Sequence, residues 1–125
     1  MANQLLQNIS SNTLSKIKFV KDLDQIKIDT ITNGLISIHS SWSAQSIVNG
    51  KSILSTLDTL NLGEFSIQII DNNLINPDTQ FEKLGLKSHG YFESVWIKNG
   101  NISYYFKNGA VEKELLKFKE YLLTQ

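Results

Sequence analysis

The chain has 125 residues, enough for one domain to bury a core without metal or disulfide staples. Hydrophobic residues make up 41% and charged residues 19%, which argues against wholesale disorder. Twelve acidic residues cancel twelve basic ones, all of them lysine, so there is no net field to draw nucleic acid or an anionic membrane, and no arginine to grip phosphate bidentately.

Residues 1–16 are polar, with Leu5, Leu6, Ile9 and Leu14 as the apolar members. They read as an N-terminal arm or one short amphipathic helix ahead of a domain over 17–125. Ser10 and Ser11 interrupt the helical pattern. The start Met1-Ala2-Asn3-Gln4-Leu5-Leu6 shows no secretory signal, and no apolar run nears the roughly 20 residues that cross a membrane. A soluble cytoplasmic protein is expected. Ile17-Lys18-Phe19-Val20 alternates and reads as a strand. Asp22 to Ile28 reads as a short helix with Asp22 near its start. Asn33-Gly34 is a turn signal.

Leu35-Ile36-Ser37-Ile38-His39 is short, β-branched and mostly apolar, as an internal strand covered on both faces should be. Trp42 follows, and a helix is predicted from Ser43 to about Leu60, with Ser43 as its cap. Gly50 inside that helix costs about 1 kcal/mol relative to Ala, which points to a bend or close packing. Phe65 to Ile70 is the next strand. Pro77 enters a helix over Thr79–Leu84 that Gly85 stops. Phe92 to Ile97 and Ile102 to Phe106 are two strands joined by Lys98-Asn99-Gly100-Asn101, a strong hairpin signal. The last helix, Ala110 to Leu123, carries Val111, Leu115, Phe118 and Leu122 on one stripe.

The order is therefore β-α-β-α-β-α-β-β-α, an α/β chain. A right-handed crossover makes the strands over Leu35–His39 and Phe65–Ile70 parallel, and the hairpin adds an antiparallel pair. The expected architecture has three layers, a mixed central sheet flanked by helices.

Three stretches carry a resemblance to the thioredoxin-like superfamily over about residues 17–123. Leu35 to Trp42 resembles that family's buried strand leading to a tryptophan. Ile69-Ile70-Asp71-Asn72-Asn73 resembles its strand ending in Asp. Ser94 to Gly100, with Gly109 and the final helix, resembles its hairpin and closing helix. The departures are equally specific. Ser43 and Ser46 stand where the redox cysteines would be, and the chain has no cysteine anywhere. Disulfide exchange and Cys-based metal sites are thereby excluded by chemistry. Ser37 occupies the place of a buried acid, and Lys51 that of a helix-kinking proline. The family's cis-proline would fall near Phe92, where there is none.

Each polar candidate has an ordinary structural explanation. Ser43 and Ser46 at a helix start fit capping, although a helix N-terminus also favours anions. His39 could act as a base toward Ser43 or Ser40, but no third group orients it, and its position suits a surface histidine. His39 and His89 lack a carboxylate partner for a metal. Asp22, Asp24 and Asp29 lack the glycine and glutamate of a calcium loop. No cofactor and no catalysis are expected. The more informative set is His39, Trp42, Gly90, Tyr91 and Phe92. The resemblance brings Trp42 and the 89–92 loop to one end of the sheet, and aromatics are enriched in binding hot spots. The expected function is a non-catalytic module that neutralises or scaffolds a protein partner. The alternative is a small-ligand binder or enzyme built on the Ser43–Ser46 helix start. A homodimer through the Tyr104–Phe106 edge is a further possibility.

Overall fold

The computed structural model describes residues 2–21, 23–60, 62–71, 84–86, 90–106 and 112–124. Its strands are β1 (Ile17–Val20), β2 (Asn33–His39), β3 (Ser66–Asp71), β4 (Ser94–Lys98) and β5 (Asn101–Phe106). Its helices are α1 (Ala2–Leu5), α2 (Ser11–Leu14), α3 (Ala44–Thr59) and α4 (Glu112–Leu123). The sheet order is β1-β3-β2-β4-β5. β3 runs parallel to both β1 and β2, whereas β4 is antiparallel to β2 and β5. The predicted mixed sheet is therefore present, with β2 at its centre. Gly34 through His39 are all buried, the burial expected of a strand covered on both faces.

Two apolar clusters sandwich the sheet. One joins Leu35, Ile67, Ile69, Trp96 and Phe106 to Ile53, Leu54 and Leu57 of α3 and Phe118 and Leu122 of α4. The other gathers Ile36, Ile38, Ile70, Val95 and Ile97 with Ile26, Ile31, Leu84 and Leu86. The alternation along β2, Leu35 to one side and Ile36 and Ile38 to the other, decides which layer each residue joins.

Asn99 and Gly100 both have positive φ, 51° and 79°, the backbone that a two-residue hairpin with an Asn-Gly loop requires. Lys98 and Asn101 close that loop as a pair. One irregularity follows. Trp96 pairs with Tyr104 while Ile97 pairs with Ile102, so Ser103 is an extra residue in β5.

Two readings are corrected. Asp22 to Ile28 does not form one helix. Leu23–Gln25 and Ile28–Thr30 are separate 3₁₀ turns, and Asp22 itself lies outside the described residues. Between them Ile26 is buried against the sheet, which fixes the backbone by tertiary packing rather than by helical pairing. The N-terminal segment holds two short helices. Ser10, which seemed to break a pattern, accepts the N–H of Thr13 and starts the second. The predicted helix over 79–84 lies outside the described residues except for Leu84, as do Ala110 and Val111 of the last one.

Gly50 is a close-packing glycine. A Cβ there would run into Leu5 Cδ1 and lie 2.8 Å from Phe92 Cδ1. Leu5 and Phe92 are both fully buried, so neither has open space beside it. Gly50→Ala gains about 1 kcal/mol of helix propensity but overpacks a core, at about 1–3 kcal/mol. A net loss of stability is expected in urea denaturation, and a larger one for Gly50→Val. A stabilised Gly50→Ala would mean that Leu5 withdraws freely.

Candidate functional site

β2 ends at His39, and the chain turns through Ser40 to Ser43 into α3. Ser43 has extended backbone, and its Oγ accepts the N–H of Ser46 at 3.3 Å. The predicted cap is therefore present. The same hydroxyl donates to the Gly90 carbonyl at 2.7 Å, which ties the helix start to the facing loop. Ser46 is fully buried. Its Oγ accepts the Ser40 N–H at 3.0 Å and pairs with His39 Nδ1 at 2.9 Å.

The facing loop is held as firmly. Asn49 Nδ2 donates to the Tyr91 carbonyl at 2.8 Å, and Gln45 Nε2 in turn donates to Asn49 Oδ1. Ile38 N–H donates to the Glu93 carbonyl. Gly90 has φ of +77°, and a Cβ there would lie 2.9 Å from both Ser43 Oγ and Trp42 Cη2. The Trp42 ring thus rests on Gly90. Phe92 also has positive φ, 59°, an unusual backbone for an aromatic residue. Its ring lies 6.0 Å from that of His39. Ser94 Oγ donates to the Phe92 carbonyl, so the buried Ser37 hydroxyl donates to Ser94 Oγ at 2.7 Å. A pair of hydroxyls fills the place where the family resemblance put a buried acid. α3 continues unbroken through Lys51.

Exposure divides the candidate set. Trp42 is 66% exposed and Tyr91 39%. His39 at 4% and Phe92 at 0% are core residues, and Gly90 is buried. The expectation of a surface histidine is overturned. The first turn of α3 covers His39 through Ser46, the Phe92 ring packs nearby, and Asp71 of β3 lies opposite in the sheet. No single one of these neighbours is adjacent in sequence. The polar residue missed from sequence, Asn49, shares a helix face with Ser46, Gly50 and Ile53. Polar residues on an otherwise apolar helix face were the available signal.

Among the described residues, no group of three metal-binding side chains occurs. His89 lies outside them. No described helix is long and apolar enough to cross a membrane.

Burial holds the His39 pKa below its ordinary 6.5, with Asp71 opposing the shift in part. The unfolded chain therefore takes up this proton at higher pH than the folded one. The contribution is fully present above the unfolded value. It falls as pH drops from about 6.5 toward the depressed folded value, then levels off. His39→Gln is expected to weaken that acid dependence. Thermal unfolding of both proteins at stepped pH checks this, and parallel curves would refute it.

No family model matches the sequence, and no curated protein does either. Solved structures do match. Thioredoxin from Malassezia sympodialis aligns with a TM-score of 0.62 at 18% identity, over 84% of this chain and 89% of that one. Thioredoxin f from spinach chloroplast aligns at 0.61 and 12%, over 86% and 94%. Oxidised thioredoxin from Plasmodium falciparum aligns at 0.62 and 15%, over 84% and 96%. The chain has the thioredoxin fold. The strand-to-helix junction carries Trp42, Ser43 and Ser46, and the chain has no cysteine. A thioredoxin fold without a thiol cannot exchange disulfides through its own side chains.

Proposed function

We propose that this thioredoxin-fold chain is a non-catalytic module that binds a protein partner through Trp42 and Tyr91. The observation that carries the reading is the exposure of Trp42 on a fixed support. Its ring rests on Gly90, and Ser43 bonds the Gly90 carbonyl from below. Tyr91 stands beside Gly90, its carbonyl held by Asn49. A preorganised aromatic pair loses little freedom on binding, and aromatics dominate interface energetics. Ser43, Ser46 and His39 Nδ1 are engaged within the fold, so the helix start offers little to a small ligand or a reaction. That weighs against the small-ligand and enzymatic alternative.

Trp42→Ala and Tyr91→Ala remove exposed side chains, and each is expected to change stability by no more than about 0.5 kcal/mol. Affinity capture from the native host is expected to recover a protein with the wild type and to lose it with Trp42→Ala. Equal recovery by both would reject the surface. Substrate turnover by the wild type, surviving Trp42→Ala, would reject the whole reading.

A further inference from the structure

The outward face of α4 carries apolar residues that the fold does not use. A helix turns by about 100° per residue. Phe118 and Leu122 mark its buried side. Leu116 and Leu123 lie nearly opposite, about two turns apart, and are 56% and 61% exposed. Single exposed leucines are ordinary, but two in line at heptad spacing form a seam.

Charges flank that seam in a set order. Glu112 and Lys119 run along one edge, Lys113 and Glu120 along the other. All four are exposed. Among the described residues, none of the four side chains has an ion pair or hydrogen bond. A face built only for water needs no leucine along its middle.

The pattern is self-complementary. When two such helices lie side by side and parallel, unlike edges meet. Glu112 then faces the partner's Lys113, and Lys119 faces the partner's Glu120. Leu116 packs on the partner's Leu116, and Leu123 on the partner's Leu123. An antiparallel pair brings like edges together instead. Packing Leu116 on the partner's Leu123 would then set Lys119 beside the partner's Lys119, and Glu120 beside the partner's Glu120. Crossing the helices at Leu116 avoids that repulsion but leaves Leu123 beyond the start of the partner's helix.

We propose that the outward face of α4 binds a second copy of this chain, with the two helices parallel about a two-fold axis. Standard interfaces bury about 1,200–2,000 Å². Two leucines and four charged side chains on each copy cover less, so the dimer is weak and reversible. Its exposed ion pairs make it weaker still in high salt. It uses neither Trp42 nor the Tyr104–Phe106 edge.

The chain has no cysteine, so one introduced thiol reports proximity without interference. In the full chain under mild oxidation, Leu123→Cys is expected to form a disulfide-linked dimer roughly tenfold faster than Lys117→Cys, because pairing raises the local thiol concentration. Lys117 is exposed on a flank of α4 away from the seam. Adding Leu116→Glu to Leu123→Cys should remove the advantage. Sedimentation of the wild type gives a second reading. Its mean mass should rise from 14.1 kDa toward twice that value between about 10 µM and 1 mM, the range of a weak contact. Leu116→Glu alters an exposed side chain, so it should fold as the wild type does and stay at 14.1 kDa. Equal cross-linking of Leu123→Cys and Lys117→Cys, a wild-type mass that does not rise, or full dimerisation of Leu116→Glu would overturn the proposal.

Discussion

Phe92→Ala is expected to lose about 3–5 kcal/mol of stability, the range for deleting a fully buried aromatic side chain. The ring is 0% exposed and belongs to the core that joins the sheet to α1, α3 and α4. It fills the space that Gly50 leaves open and packs near His39. Deleting it undermines three elements at once, and small domains hold only about 5–15 kcal/mol in total. The backbone sharpens the comparison. With φ of +59°, any Cβ at this position is strained by about 1–2 kcal/mol. Phe92→Gly relieves that strain but loses about 0.5–1 kcal/mol of backbone entropy. It is therefore expected to be no less stable than Phe92→Ala. Urea denaturation followed by circular dichroism measures both. A loss under about 1 kcal/mol for Phe92→Ala would show that the site collapses easily.

The double variant Ser43→Cys, Ser46→Cys is expected to reduce disulfides poorly, and the wild type not at all. The start of α3 would favour a thiolate, so acidity is not the obstacle. The surroundings are. The Ser46 hydroxyl accepts the Ser40 N–H and pairs with His39 inside the fold. A thiol is a weak acceptor, so these buried groups lose their partner at about 1–3 kcal/mol. A sulfur at 43 would sit against the Gly90 carbonyl, and the Trp42 ring packs on the same glycine. Exchange requires a substrate sulfur to reach it in line, and the 90–92 loop occupies that approach. Disulfide reduction at matched folding, checked by circular dichroism, decides the matter. Turnover near that of an ordinary thioredoxin would show an intact groove from which only the sulfurs are missing.

The parts of the fold legible in sequence are those fixed by local chemistry. Leu35 to His39 reads as a buried strand because nearly every residue is apolar. Ser43 reads as a cap, and Asn99-Gly100 as a hairpin loop, because each fits a demanding backbone position. Asp22 to Ile28 misled because its pattern fits a helix while contacts distant in sequence decide its shape. His39 misled for a related reason. Nothing near it in sequence says that Phe92, fifty-three positions later (92 − 39), closes over it. The candidate surface was half legible. Trp42 and Tyr91 lie exposed, whereas His39 and Phe92 are buried in the core.

The two tryptophans give the molecule a pair of built-in optical reporters. Trp42 is mostly in water, and Trp96 is almost wholly shielded between Phe65 and Phe118. Their emission maxima therefore differ, long for the wet ring and short for the dry one. Unfolding moves the short component and leaves the long one almost in place. A partner that covers Trp42 does the reverse, shifting the long component to the blue. Loss of the core and coverage of the surface thus leave opposite signatures in a single unlabelled spectrum.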